Sequence, residues 1–201
     1  MGESRPPICL SGPRAAMKEV LLLARKGDIV FLPSLRLPRF MDQWGGEGSD
    51  SQENAQYSRP ANALQSVTTA TNDAPQWFEP FLKKGLQVIF ELPKPIFRAP
   101  PFRCMDVFND LNPDCSYGLS ELRSNQETYR TPTVNAIKRL ALQYPKILTW
   151  DPFPLLCGNE HCNALQEKHP KFFDADHVSA YGNSVLYPSF KEAIMLRANG
   201  N

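Results

Sequence analysis

The chain has no charge of one sign in excess. Its 201 residues carry a formal net charge of +1. That removes the electrostatic case for binding nucleic acid or an anionic membrane surface. Long apolar runs are missing as well, and none approaches the roughly 20 residues that a membrane span needs. The opening "MGESRPPICLSGPR" has no apolar core of the signal-peptide kind. No internal repeat is present. On these grounds the chain reads as one soluble domain, 1–201, long enough for a sizeable core.

Proline is abundant, at 19 residues. The prolines gather in "ELPKPIFRAPPF" (91–102), "DPFP" (151–154) and the pair at 6–7. Aromatic and aliphatic residues are interleaved with them, which predicts ordered, irregular loops rather than disorder. The stretch 42–62 is different: rich in Gly, Ser and Asn and without hydrophobic period, it reads as a mobile loop.

There are five cysteines. Cys104 and Cys115 bracket one loop, Cys157 and Cys162 another, and Cys9 stands alone. Two short-range pairs in Pro-rich loops read as two local disulfides, which places the domain in an oxidising compartment. "CGNEHC" also admits zinc, with His161 and His169 as further ligands, although a second knuckle is missing. Unpaired buried thiols are the third reading.

Three segments read as buried strands: "DIVFLP" (28–33), "LQVIFEL" (86–92) and "KILTW" (146–150). Each follows a helical pattern. The first helix, 14–27, ends in glycine, and the second, 74–85, is expected to break at Pro80. The third, 127–145, has Pro132 in its first turn. A last helix starts near Ser179, stops at Pro188 and restarts with a Ser189–Glu192 capping box. Alternating helix and strand predict an α/β fold with a mostly parallel sheet. Its functional loops lie at the carboxyl ends of the strands.

"FFDADHVSAYGN" (172–183) carries the chemistry. Asp174 and His177 are three residues apart ahead of a helix. In a turn, the carboxylate can accept the Nδ1 proton and leave Nε2 free to take and return a proton. Asp176 is expected to point elsewhere, as a helix-dipole partner or a solvated group. Alone, D-x-x-H is equally the pattern of a polar loop.

The block "FFDADHVSAYGNSVL" closely resembles the Asp-x-x-His block of SGNH-type hydrolases and transferases. It is most similar to the SGNH domain found C-terminal to the membrane acyltransferase-3 domain of bacterial surface-polysaccharide O-acetyltransferases. "GDIVFLPSLRLPRF", "ELPKPIFRAPPFRC" and "WDPFPLLC" agree with it, over residues 8 to 195. The resemblance implies a three-layer α/β/α flavodoxin-like fold and a Ser-His-Asp triad, with His177 as general base and Asp174 as its orienter. It implies transfer of an acyl group, usually acetyl, through an acyl-serine at the periplasmic face of an inner-membrane protein. The implied partners are an acyl donor, a cell-envelope polysaccharide or lipopolysaccharide sugar and an upstream membrane acyltransferase domain; no cofactor and no metal are implied.

Two features depart from that family. Its nucleophile sits in a Gly-Asp-Ser block after a first strand, and no such strand is present here. Ser4 in "MGES" imitates the block but has no strand to present it. The expectation is a fragment that lacks its first strand and nucleophile and is silent alone. In place of the Gly-x-Asn-Asp block stand Pro33, Ser34, Leu35 and Arg36. Ser34 and Arg36 are therefore the oxyanion candidates; Arg36 and Arg39 are equally read as solvated. Phe97, Phe102 and Arg103 are candidates for a sugar groove, against the simpler reading of a rigid loop stapled by Cys104. A carbohydrate acetylesterase and a degenerate glycan-binding module are the competing functions.

Overall fold

The computed structural model describes residues 7–33, 68, 71–109 and 111–198. Cys9 lies within a helix but its side chain is not among those described, and Ser4, Ser34, Arg36, Arg39 and 42–62 lie outside the described residues.

Three α-to-β units form the frame. Helix α1 (Pro7–Leu23) leads to strand β1 (Ile29–Leu32), and α2 (Pro75–Lys83) leads to β2 (Gln87–Glu91). The short α3 (Pro101–Cys104) and α4 (Pro113–Gly118) and strand β3 (Ser120–Leu122) follow. Next come α5 (Arg123–Gln143) and β4 (Ile147–Trp150). Gly27 and Gly85, at φ +96° and +88°, make the first two helix-to-strand turns, a conformation that favours glycine. Gly27 N–H donates to the Gly85 carbonyl at 3.0 Å, which joins those turns at the base of the sheet.

The strands pair in the order β1–β2–β4, all parallel, with Val30 opposite Val88 and Val88 opposite Ile147. All five positions of β2 are buried. Its alternating side chains feed two cores. Val88 and Phe90 pack with Phe78, Phe81, Val134, Ile137 and Leu140 from the helices on one face. Ile89 packs with Trp150, Phe153, Phe172 and Leu186 on the other. A sheet covered on both faces is the three-layer α/β/α arrangement.

The chain ends with α6 (Phe153–Leu156), three short strands β5 (His161–Asn163), β6 (Leu165–Gln166) and β7 (His169–Pro170), and α7 (Ala180–Ala198). The antiparallel pairs β3–β5 and β6–β7 were not visible in the sequence.

Three helix expectations need correction. Helix α2 runs through Pro80, α7 through Pro188, and α5 holds Pro132 in its interior rather than its first turn. An interior proline costs about 3 kcal/mol of helix; packing on both sides of it offsets this. In α5, Val134, Ile137 and Leu140 fill the core after Pro132. Before it, Gln126 and Arg130 grip the 93–97 loop. Gln126 bonds both the N–H and the carbonyl of Ile96, at 3.2 and 2.7 Å. Arg130 donates to the Pro93 carbonyl at 3.1 Å and to Asp151 at 2.5 Å, and its guanidinium lies 4.2 Å from the Phe153 ring centroid. In α7, Ser189 does not cap a new helix; its hydroxyl accepts from Trp150 Nε1 at 3.1 Å.

Candidate active site

The segment after β7 forms a tight hairpin. Phe172 bridges Val178, and Phe173 N–H donates to the His177 carbonyl at 2.7 Å. The hairpin feeds directly into α7, which Ser179 caps: its hydroxyl accepts from Gly182 N–H at 3.0 Å, as expected of a serine there. Ser179 also ties backward, its N–H to the Lys171 carbonyl at 2.9 Å and its hydroxyl to the Pro170 carbonyl. Gly182 must be glycine because a Cβ would stand 2.1 Å from the Lys171 carbonyl oxygen. The Lys171 ammonium is buried and donates to the Leu156 carbonyl at 2.6 Å, and burial lowers its pKa.

Inside this frame Asp174 is held by three groups. One carboxylate oxygen accepts the N–H of Asp176 at 3.0 Å and of His177 at 2.7 Å. The other lies 2.7 Å from His177 Nδ1. Burial raises the Asp174 pKa, but the two backbone N–H groups and the neighbouring side chains outweigh it, so the net shift is downward. A carboxylate so held favours the tautomer with the proton on Nδ1, which leaves Nε2 open.

Asp176 departs from its expected place. It is 6% exposed, not solvated, and its carboxylate lies 3.1 Å from the same Nδ1. Asp174 is the nearer carboxylate, yet His177 has two. The ligating atoms of Asp174, Asp176 and His177 lie within 4.8 Å of one another.

His177 lines a cleft of about 350 Å³ at the carboxyl ends of the three parallel strands. Pro33, Glu91 and Trp150 come from the strand ends, and Asn183, Leu186, Tyr187 and Phe190 from α7. A buried Lys94–Glu91 ion pair at 2.6 Å also lines it. Sequence reasoning passed over that pair. A glutamate closing the apolar strand "QVIFE", with a lysine three residues on between two prolines, was the available signal.

The groove candidates separate. Phe97 is 6% exposed and packs edge-on to Phe172 at 5.0 Å, so it is core and cannot line a groove. Phe102 is 60% exposed and stacks on Phe173, and Arg103 is exposed. Both cysteine pairs are joined: Cys104–Cys115 and Cys157–Cys162, with Cα atoms 5.2 and 4.1 Å apart. Neither sulfur of "CGNEHC" is thus a thiolate for zinc.

Among the described residues no helix is long and apolar enough to cross a membrane. The family model for the SGNH domain (fused to AT3 domains) matches residues 6–192. Comparison with curated proteins finds no match. A solved structure, the periplasmic domain of a lipopolysaccharide acetyltransferase from Salmonella ser. Paratyphi A, is similar in fold, with TM-score 0.51 and 14% identity. The likeness covers 90% of this chain and 61% of that one.

Proposed function

The chain belongs to the SGNH domains of the kind fused to AT3 domains, and from that premise we propose that it supplies the His-Asp half of a Ser-His-Asp acyl-transfer centre. The acceptor is a cell-envelope glycan, and the working place is the periplasmic face. The observation that carries this reading is the 2.7 Å contact between Asp174 and His177 Nδ1, with His177 on a cleft at the strand ends.

The chemistry follows from that pair. His177 Nε2 takes the proton of a serine hydroxyl as its oxygen attacks the acyl carbonyl of the donor. Asp174 stabilises the imidazolium that forms. The tetrahedral intermediate collapses to the acyl-serine, and the Nε2 proton goes to the departing donor group. In the second half a sugar hydroxyl gives its proton to Nε2 and attacks the acyl-serine. The ester passes to the sugar, and Nε2 returns the proton to the serine.

No serine is among the described residues that line the cleft. The nucleophilic serine is assigned to no residue of this chain, in keeping with the His-Asp half it supplies, and Ser34 and Arg36 are the proposed oxyanion donors. The buried Lys94–Glu91 pair lines the same cleft with its two charges balanced. Periplasmic placement is supported by the two disulfides, which persist in oxidising compartments. It is supported also by the periplasmic origin of the similar structure.

The test is made in cells. Ester-linked acetyl on envelope glycans is measured by mass spectrometry in a strain with the natural gene and in a His177→Ala strain. Loss of acetyl from one glycan in the variant is expected. Unchanged acetylation with normal protein levels would overturn the proposal.

A further inference from the structure

Two large aromatic side chains sit in water beside the Asp174–His177 hairpin. Phe102 is 60% exposed and Phe173 54% exposed, and their rings stack with centroids 5.0 Å apart and planes 29° from parallel. Exposed single aromatics are ordinary; a stacked exposed pair held rigidly next to a reactive group is not. Phe173 directly precedes Asp174. Phe102 belongs to the Pro-rich segment that ends at Cys104, the residue joined to Cys115.

The loop is fixed to the hairpin at two points. Phe97 N–H donates to the Ala175 carbonyl at 2.9 Å, and Phe102 N–H donates to the Phe173 carbonyl at 3.3 Å. Its base is closed as well. Gly118 accepts from Arg98 and Ala99 N–H at 3.2 Å each, and a Cβ on Gly118 would stand 2.6 Å from the Ala99 side chain. The two rings therefore keep one register with His177 without a ligand to order them. That is the preorganisation that lets a weak contact orient a molecule.

We infer that the Phe102–Phe173 stack is a binding surface for the apolar face of a pyranose ring of the acceptor, beside the dyad. The inference rests on the acyl-transfer reading for the identity of the acceptor, though not for the existence of the surface. A pyranose with equatorial substituents presents axial C–H bonds on its faces and hydroxyls at its rim. The C–H face fits the electron-rich face of an aromatic ring and covers apolar surface, while the rim stays in water. Such contact places a rim hydroxyl at the dyad without binding the hydroxyl itself, which must stay free to react.

The experiment uses the chain with 13C-labelled phenylalanine rings and methyl β-D-glucopyranoside at millimolar concentrations, with sorbitol as the open-chain control. The expected result is a saturable shift of the Phe102 and Phe173 ring signals with the pyranoside and none with sorbitol. Phe102→Ala and Phe173→Ala each weaken binding about tenfold, the upper end of what one aromatic face contributes. Phe102→Trp retains it. The His177 ring signals report whether the hairpin survives Phe173→Ala, and Phe102→Ala serves as the variant further from it. No shift with the pyranoside, an equal shift with sorbitol, or unchanged binding in both alanine variants would overturn the inference.

His177→Ala separates the two proposals. Binding that persists in this variant while cellular acetylation is unchanged leaves the surface standing and removes the acyl-transfer reading. Acetylation that depends on His177 with no pyranoside binding does the reverse.

Discussion

Replacing Asp174 by asparagine tests the double carboxylate on His177. The asparagine oxygen can still accept the two backbone N–H groups of Asp176 and His177, so the turn is expected to keep its shape. What changes is the partner at 2.7 Å from Nδ1: a charged acceptor becomes an amide. A hydrogen bond to a charged group contributes about 1.5–3 kcal/mol. At about 1.4 kcal/mol per factor of ten, its loss slows acyl transfer roughly 10- to 100-fold. Asp176 sets the floor, because its carboxylate at 3.1 Å can hold the Nδ1 proton in place. Asp174→Asn with Asp176→Asn removes both acceptors. The imidazole can then settle with its proton on Nε2, the wrong tautomer, for which about 10⁴-fold is the expected loss. The assay is the rate of envelope acetylation in the three variants. Nitrogen NMR of the His177 ring in the isolated chain reports the tautomer directly. If Asp174→Asn alone falls as far as the double variant, the Asp176 contact contributes nothing. If Asp176→Asn costs more than Asp174→Asn, the orienting role belongs to Asp176.

Gly182→Ala should lower thermal stability by about 3 kcal/mol or more, because the new Cβ meets the Lys171 carbonyl at 2.1 Å and Val178 at 2.6 Å, with backbone on one side; a melting temperature equal to that of the natural chain would show that the hairpin yields. Replacing either cysteine pair by serine should cost about 2–3 kcal/mol, as closing loops of 11 and 5 residues' separation implies, and a non-reduced digest should recover Cys104 with Cys115 and Cys157 with Cys162; four free thiols in exported protein would refute the pairing. The lowered pKa of Asp174 has a pH signature: a depressed folded value stabilises the fold above the unfolded carboxylate pKa of about 4 and is lost as pH falls through the folded value. Asp174→Asn should therefore flatten part of the acid limb of a stability–pH curve below about pH 4, and an unchanged limb would count against the hydrogen-bonded carboxylate.

The strands were legible because each is a short apolar run, and two follow a Lys-Gly turn; their observed limits fall within one residue of those expected. The dyad was legible for a related reason. Asp174 and His177 meet through a local turn, and local spacing is what a sequence displays. What depended on distant contacts was not readable. Pro132 looked like a helix start because its local cost is visible and the grip of Arg130 on Pro93 and Asp151 is not. The β3–β5 pair joins Ser120 to Asn163 and has no periodic signature at either end. Phe97 and Phe102 look alike in "PIFRAPPF", yet one is core and the other exposed, since the loop turns its first aromatic under Phe172. The burial of Asp176 and of the Glu91–Lys94 pair likewise arises only when strand ends and hairpin come together.

The wiring of the dyad has an evolutionary consequence. Asp174 and His177 are set by bonds within four residues, and the frame around them is closed by Ser179 and Gly182. The backbone bonds that tie the Pro-rich loop to that frame come from Phe97 and Phe102, ahead of the segment stapled between Cys104 and Cys115. Inheritance can thus act on the two separately. Drift and selection are free to rewrite the side chains from 105 to 114 while the proton-handling unit passes on intact. Descendants of one ancestral domain can diverge in the outward surface they present and still share the hairpin, and substitutions among them should concentrate in the staple rather than in residues 172–182.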